Sequence, residues 1–410
     1  MALAALPQPL VRVLFVGAGN ITFGNDNVLW NHSLRIEKLL RTRLEVIAVI
    51  DPSVERVSQV LLQKRAAAAA PCYATTKHFL TVQEAKEHLT HGMLAHPDLI
   101  VLATPPHYRG TMHLGRDLEA QIIETFGSAP RLFCEKPLST ARPAEVWPVA
   151  TFLRDAGNIV SVGYMLRYLK VVQHAMAVLR ENNVAVMAVT ARYTMAYSKV
   201  RKLDWWNKAK QCGPIVEQAT HFCDLCRYLG GEVDLDSVRA CALEHDEPAG
   251  TLSSMAVDDS QIPRDDRIPR ATAAFWKYRT GAVGSLVHTV TLHGINYSNE
   301  IVIGGDGFQI RLVDLYGSSP TLYVRTPASE HEDSFSYAND DPFYTEFAAL
   351  LEPHGVFPSQ RNASNPEGTH DRESLSSCPP AGILSSYEDA CKTHEFTWRI
   401  RDESEKSSAQ

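Results

Sequence analysis

Val11-Arg12-Val13-Leu14-Phe15-Val16-Gly17-Ala18-Gly19-Asn20-Ile21-Thr22 is the stretch that decides how this chain reads. A short apolar, β-branched run closed by glycines predicts a buried strand over residues 11–17. Glycines at such a junction permit a tight turn and let the backbone approach a pyrophosphate. A helix starting at Asn20 and Ile21 would add amide donors and the positive end of its dipole. Thr22 stands where the G-x-G-x-x-G pattern has its third glycine, so the motif needs support from elsewhere.

Asp51 supplies that support. It follows a second strand-like run, residues 44–50, and a carboxylate there can accept both ribose hydroxyls and repel a 2′-phosphate. NAD is therefore the expected cofactor, while Arg56 nearby leaves NADP open. The spacing from the glycines to Asp51 is longer than usual, and residues 23–31 read as the extra segment.

Strand-like runs recur at residues 99–104, 131–134 and 159–163, separated by amphipathic stretches such as 33–40 and 54–70. In the second of these the alanine run 66–70 reads as a helix end. Alternation of this kind predicts a parallel sheet covered on both faces, spanning residues 1–165. After Tyr168 the pattern changes. A helix over 169–180 leads to a strand over 184–197, then a polar-aromatic segment, then a helix over 217–229. A meander of strands follows over 271–326. Residues 166–410 are thus expected to form a second, mainly antiparallel α/β domain. Residues 247–266 and 353–380 read as surface insertions, 386–399 as a terminal helix and 401–410 as a solvated tail.

With 410 residues, 45% of them hydrophobic, and a formal net charge of −7, the chain has ordinary globular composition. Its mild acidity argues against nucleic acid as a partner. No apolar run approaches the roughly 18 residues of a membrane span. The first ten residues lack a basic segment, so a secretory leader is not expected, and eight scattered cysteines read as reduced thiols. A cytoplasmic protein is the expectation.

Four more motifs carry chemistry. Thr104-Pro105-Pro106-His107 and Cys134-Glu135-Lys136-Pro137-Leu138-Ser139 follow strands, where ligands of open α/β sheets bind. Gly163-Tyr164-Met165-Leu166-Arg167-Tyr168 closes the first domain. Glu217-Gln218-Ala219-Thr220-His221-Phe222-Cys223-Asp224 opens a helix in the second. In this order and spacing the set resembles the Gfo/Idh/MocA family, the glucose–fructose oxidoreductase and inositol dehydrogenase relatives. The resemblance implies an N-terminal Rossmann domain with a doubly wound parallel sheet, joined to an α/β domain with an open, mainly antiparallel sheet. It also implies that Lys136 polarises the reacting oxygen and contacts the nicotinamide ribose, and that His221 donates and accepts the proton. Glu217 replaces the family's aspartate four residues before that histidine, and Ala219 replaces a glycine. Arg109 stands where a histidine is common, with His107 two positions earlier. The expected dinucleotide residues are Gly17, Gly19, Asn20, Ile21, Asp51, Thr104, Pro105, His107, Glu135 and Lys136.

The chemistry is coherent without the family. Removing hydride from a secondary alcohol requires its hydroxyl proton to leave, so a base must be within hydrogen-bond reach. Histidine suits that role near neutral pH, and an ammonium beside it favours the developing alkoxide. Arg167, Trp205, Trp206 and Asp224 are further candidates, for substrate. The tryptophans, with Lys208 and Lys210, either line a substrate mouth or pack as a loop with solvated lysines. Asp224 either orients the site or serves helix-end electrostatics. Tyr193 and Tyr197 read as strand packing. Cys223 and Cys226, even with His221 and Cys212, lack the second pair that a zinc site needs, so buried thiols and no metal are expected.

The expected activity is NAD(P)-dependent oxidation or reduction of a sugar-like, cyclitol or other hydroxylated small molecule. A homo-oligomer, dimer or tetramer, formed through the C-terminal sheet is expected. Two other readings stay open: redox-neutral hydrolysis or epimerisation that uses NAD transiently, and a non-catalytic nucleotide-sensing regulator. Lys136 and His221 argue against the regulator.

Overall fold

Six parallel strands, β1 (Val11–Val16), β2 (Leu44–Ile50), β3 (Lys77–Phe79), β4 (Leu99–Leu102), β5 (Arg131–Cys134) and β6 (Val160–Val162), form the first of two sheets in a computed structural model of the protein. The structure describes residues 9–25, 30–351 and 382–408. The strand order is β3-β2-β1-β4-β5-β6, which is the doubly wound Rossmann order. Residues 13–16 and 99–102 are buried throughout, as strands covered on both faces must be. The order reverses between β1 and β4, and the glycine loop leaves β1 at that point. Three-residue β3 carried too little periodicity to be read from the sequence.

One local expectation gains detail and another is corrected. The helix after the glycines is a single turn, Asn20–Phe23, and a longer helix, His32–Leu40, begins only after the extra segment. Asn31 joins the two. Its Oδ1 accepts the Leu34 N–H at 3.0 Å as an N-cap, and its Nδ2 donates to Phe23 O at 2.9 Å. The helix Val54–Ala66 stops before the rest of the alanine run, which enters a 3₁₀ turn, Ala70–Tyr73. Pro71, with no N–H to donate, favours that stop.

The second sheet contains β7 (Val186–Ala196), β8 (Val233–Leu243), β9 (Ala271–Tyr278), β10 (Val283–Leu292), β11 (Ser298–Gly305), β12 (Phe308–Val313), β13 (Thr321–Arg325) and β14 (Asp333–Ser336). Its order is β14-β13-β12-β11-β7-β10-β9-β8, and every neighbouring pair is antiparallel except β7 with β10. β8 and β14 escaped the sequence reading because they are the edges, where charged residues such as Asp234, Asp236 and Asp333 are tolerated. The helix Thr220–Gly230 packs on this sheet, with Phe222 stacked on Tyr193 at 4.7 Å.

The division into units differs from the expected 1–165 and 166–410. The first unit comprises Met1–Ser139, Glu145–Gly163 and Phe343–Glu388; the second takes Thr140–Ala144, Tyr164–Pro342 and Asp389–Gln410. Phe347, Leu350 and Ile383 are the reason, since they complete the core around Val13, Phe15 and Phe133. The terminal helix also outruns its expected end at 399, running over Tyr387–Ser408. The supposed solvated tail stays helical because Arg401 pairs with Glu405 at 3.0 Å, one turn on, and donates to Cys212 O at 3.2 Å. Residues 247–266 are irregular but not loose. Ile262 is buried, and Leu252, Met255 and Val257 pack against the core cluster that contains Ile262 and Trp206. The other expected insertion, 353–380, lies outside the described residues. Among the described residues no helix is long and apolar enough to cross a membrane, and the cysteines are free thiols. Burial pushes the Cys134, Cys223 and Cys226 thiols up, as inert core thiols.

Candidate active site

The loop after β1 is built for close approach. Gly17 has φ +102°, and a Cβ on it would lie 2.9 Å from Ala103 O, so only glycine fits against the end of β4. Gly19 faces open space, with nothing within 4 Å of where its Cβ would be. Asp51 braces this loop: Oδ2 accepts the Ala18 N–H at 2.7 Å while Oδ1 accepts the Ser53 N–H at 2.8 Å. Arg56 braces the other side, donating from Nε to Ala18 O at 2.9 Å and from Nη2 to Gly24 O at 3.1 Å. At the end of β4, Thr104 Oγ1 is buried without a hydrogen-bond partner among the described residues. Bare exposed backbone, a carboxylate at the end of β2 and an orphaned hydroxyl fit a dinucleotide. Asn20 is exposed and Ile21 half-buried, while Pro105 and His107 are exposed, the latter with its ring 4.1 Å from Tyr108.

Beyond β5 the Glu-Lys-Pro loop is fixed by groups the sequence reading had not connected. Glu135 is buried, and its Oε1 lies 2.5 Å from Nε2 of His32, a residue with no exposed surface. Its Oε2 accepts the Lys136 N–H at 3.0 Å. Burial pushes the Glu135 carboxyl up, but the His32 hydrogen bond and the charges of Lys136 and Arg109 outweigh it and hold the group below its ordinary range. Arg109, fully buried, joins the two strand-end loops by donating to Thr104 O at 3.1 Å and Leu138 O at 2.8 Å. Ser139 Oγ returns a bond to Arg109 O at 2.8 Å. The arginine found where a histidine is common is therefore a main-chain clamp. Lys136 itself is half-buried.

In the second unit, His221 and Glu217 do not share a helix, contrary to expectation. Glu217 ends a short helix, Gly213–Glu217, and His221 is the second residue of Thr220–Gly230. The break at Gln218-Ala219 is pinned from the sheet, because buried His288 on β10 bonds through Nε2 to Gln218 Oε1 at 2.9 Å. Burial lowers the His288 pKa to about 3, so that imidazole is neutral. His221 is 7% exposed and lies edge-on to Tyr164 at 5.8 Å and Tyr316 at 6.3 Å. Glu217 accepts the Trp205 indole N–H at 3.0 Å. Burial, aided by the Glu217 charge, pushes the Tyr297 and Tyr316 phenols up. Their only sequence signal was an aromatic residue in a turn.

Three substrate candidates are otherwise occupied. Arg167 and Asp224 are buried against each other through two 2.7 Å bonds, and Thr393 Oγ1 donates to Asp224 at 2.9 Å. Asp389 adds a 2.6 Å pair to Arg167 and a 2.9 Å pair to Arg227. This network holds the second unit together. Trp206 is core, 1% exposed, donating to Val200 O at 3.3 Å beneath Arg270. Lys208 pairs loosely with Glu405 at 3.8 Å. Of the four, half-buried Trp205 keeps an accessible face. Among the described residues no group of three metal-ligating side chains occurs.

The family model "Oxidoreductase family, NAD-binding Rossmann fold" matches residues 11–164, and the model of an oxidoreductase C-terminal domain matches residues 167–308. Uncharacterized protein UNK4.17 of Schizosaccharomyces pombe is 40% identical over 394 residues, covering 96% of this chain and 91% of its own length. The chain belongs to the Gfo/Idh/MocA oxidoreductase family. Levoglucosan dehydrogenase, solved with NADH and levoglucosan, is similar in fold at a TM-score of 0.67 and 15% identity, over 97% of this chain and 98% of its own. The super-repressor mutant of Gal80p from Saccharomyces cerevisiae is similar at a TM-score of 0.67 and 13% identity, over 97% of each chain. At such identities the Gfo/Idh/MocA likeness to these structures is one of fold, and function must come from the site.

Proposed function

We propose that this Gfo/Idh/MocA protein is an NAD-dependent oxidoreductase acting on a hydroxyl or carbonyl carbon of a sugar-like, cyclitol or other hydroxylated small molecule. The observation that carries this reading is the Glu135–Lys136 pair, an anchored carboxylate and its lysine, at the carboxyl end of β5 in the sheet that also bears the glycine loop. When bound, the nicotinamide supplies hydride acceptance or donation. Gly17, Gly19, Asn20 and Ile21 hold the pyrophosphate and Asp51 a ribose. Thr104, Pro105, His107 and Glu135 border the dinucleotide. Lys136 stabilises negative charge on the substrate oxygen, and His221 moves that oxygen's proton. Glu217 sets the charge around the base, and Trp205 and Tyr316 offer faces to a ring. Incubation with panels of polyols, sugars, cyclitols and hydroxylated aromatics tests it, reading NADH formation and, in parallel, NADPH oxidation against carbonyl partners. Tight NADH binding without net hydride transfer to any of them would favour redox-neutral or regulatory use of the nucleotide.

Cofactor choice follows from Asp51 and Arg56. Both donors that Arg56 directs at the loop are taken by main-chain carbonyls, and Asp51 would repel a 2′-phosphate. NADH should bind at least roughly tenfold tighter than NADPH, about 1.4 kcal/mol. Asp51→Ala should erase most of that gap. Fluorescence titration decides, and a preference for NADPH in the wild type would remove Asp51 from this role.

Self-association through the second sheet belongs to the same reading. Phe275, Val283 and Val287 are exposed on paired strands β9 and β10, an apolar surface suited to a second copy. Light scattering that gave a monomer at micromolar concentration would refute it. Free, scattered thiols suit a cytoplasmic location.

A further inference from the structure

We propose that His32 is a positioning residue for Lys136: its imidazole, acting through Glu135, fixes the loop that carries the lysine. The inference rests on the reading of Lys136 as the catalytic cation.

Glu135 is held below the ordinary carboxyl range, so it is ionised at neutral pH and can only accept. The proton in the 2.5 Å contact therefore sits on His32 Nε2. The second carboxylate oxygen takes the Lys136 N–H, so each oxygen has one donor and the carboxylate cannot rotate without losing both. Gly163 closes the remaining side, since a Cβ there would come within 3.3 Å of Glu135 Oε1.

The surroundings of His32 are otherwise apolar. Its ring meets Phe133, Phe343 and Phe347 edge-on at 5.1, 5.6 and 5.2 Å. Nδ1 is buried with no hydrogen-bond partner among the described residues. Leucine or phenylalanine would fill that space without a desolvation cost, so the one polar contact is what the imidazole provides. His32 is itself placed by the Asn31 cap, as the first residue of its helix. Because Asn31 also bonds Phe23 O, the lysine loop is tied through His32 to the turn that follows the glycine loop. A nucleotide that settles the glycine loop would act on Lys136 through these bonds.

The test reads the lysine directly and needs no substrate. Wild type, His32→Leu and His32→Gln are acetylated with limiting acetic anhydride at pH 8, and the rate at Lys136 is read by peptide mass mapping against exposed Lys170. Glutamine keeps an N–H for Glu135, whereas leucine does not. Lys136 should react at least threefold faster in His32→Leu, because its loop is released and loses a fixed neighbouring carboxylate. His32→Gln should stay within twofold of wild type. An unchanged Lys136 rate in folded His32→Leu would overturn the proposal, as would a glutamine variant as fast as the leucine variant. If His32→Leu does not fold, His32→Phe, which keeps a ring among the three phenylalanines, takes its place with the same expectation. Failure of the catalytic reading shows separately, as turnover that survives loss of Lys136.

Discussion

Lys136→Ala should lower kcat/KM by roughly 10³-fold or more, about 4 kcal/mol of transition-state stabilisation, while melting temperature and most NADH affinity stay near wild type. The expectation follows from how the residue is placed. Lys136 is half-buried at the end of a strand, and its main chain is held by Glu135. Truncation removes the charge, whereas the Glu135 bond to the Lys136 N–H and the bonds from Arg109 to Thr104 O and Leu138 O do not involve the lysine side chain and remain. An ammonium aimed at an oxygen that becomes negative contributes mainly in the transition state, so kcat should fall more than KM rises. Lys136→Arg should rescue poorly, because a planar fork cannot occupy the place of a compact ammonium. Near-wild-type kcat in Lys136→Ala on the identified substrate would refute the assignment. A dinucleotide affinity that collapsed together with turnover would move Lys136 from chemistry to binding.

How far the sequence showed this site depended on whether a residue acts through its own neighbours in the chain. The strand at Val11–Val16, the glycines and the lysine loop were legible because apolar runs and turn residues are local signals. Arg109 was visible only as a departure from a pattern. Its clamp spans 29 residues to Leu138, a pairing that no periodicity encodes. His32 lies 103 residues from Glu135 and directly follows the segment read as extra, with no local signal of its own. Arg167 and Asp224 misled for the opposite reason: charged residues near a site are functional candidates until a partner 57 residues away is seen to bury them. The edge strands β8 and β14 were missed because edges carry the charges that disguise a strand. The break between Glu217 and His221 was hidden because the intervening Gln-Ala-Thr is compatible with helix, and it is buried His288, on β10, that bonds Gln218 there.

That break shapes the second large expectation, for His221→Asn. Its kcat should fall by about 10² to 10⁴, the range for loss of a general acid–base group, with KM changing little. Asparagine keeps polar character near the ring position but cannot take up a proton. Imidazole is the side chain whose unperturbed charge change falls between pH 5 and 8, so a limb of kcat/KM against pH in that interval should flatten in the variant. Glu217→Gln should cost less, roughly tenfold, because the carboxylate is bonded to Trp205 and shapes the field around the base without carrying the proton. The two residues sit on separate helices, so the Glu217 effect should come through charge and not through a shared turn. Glu217→Asp, which keeps the charge but shortens the reach, should then retain most activity. A His221→Asn enzyme with wild-type kcat and an unaltered pH profile would place the proton elsewhere. Tyr316 would be the next candidate, since its ring borders His221 and its phenol is held protonated by burial.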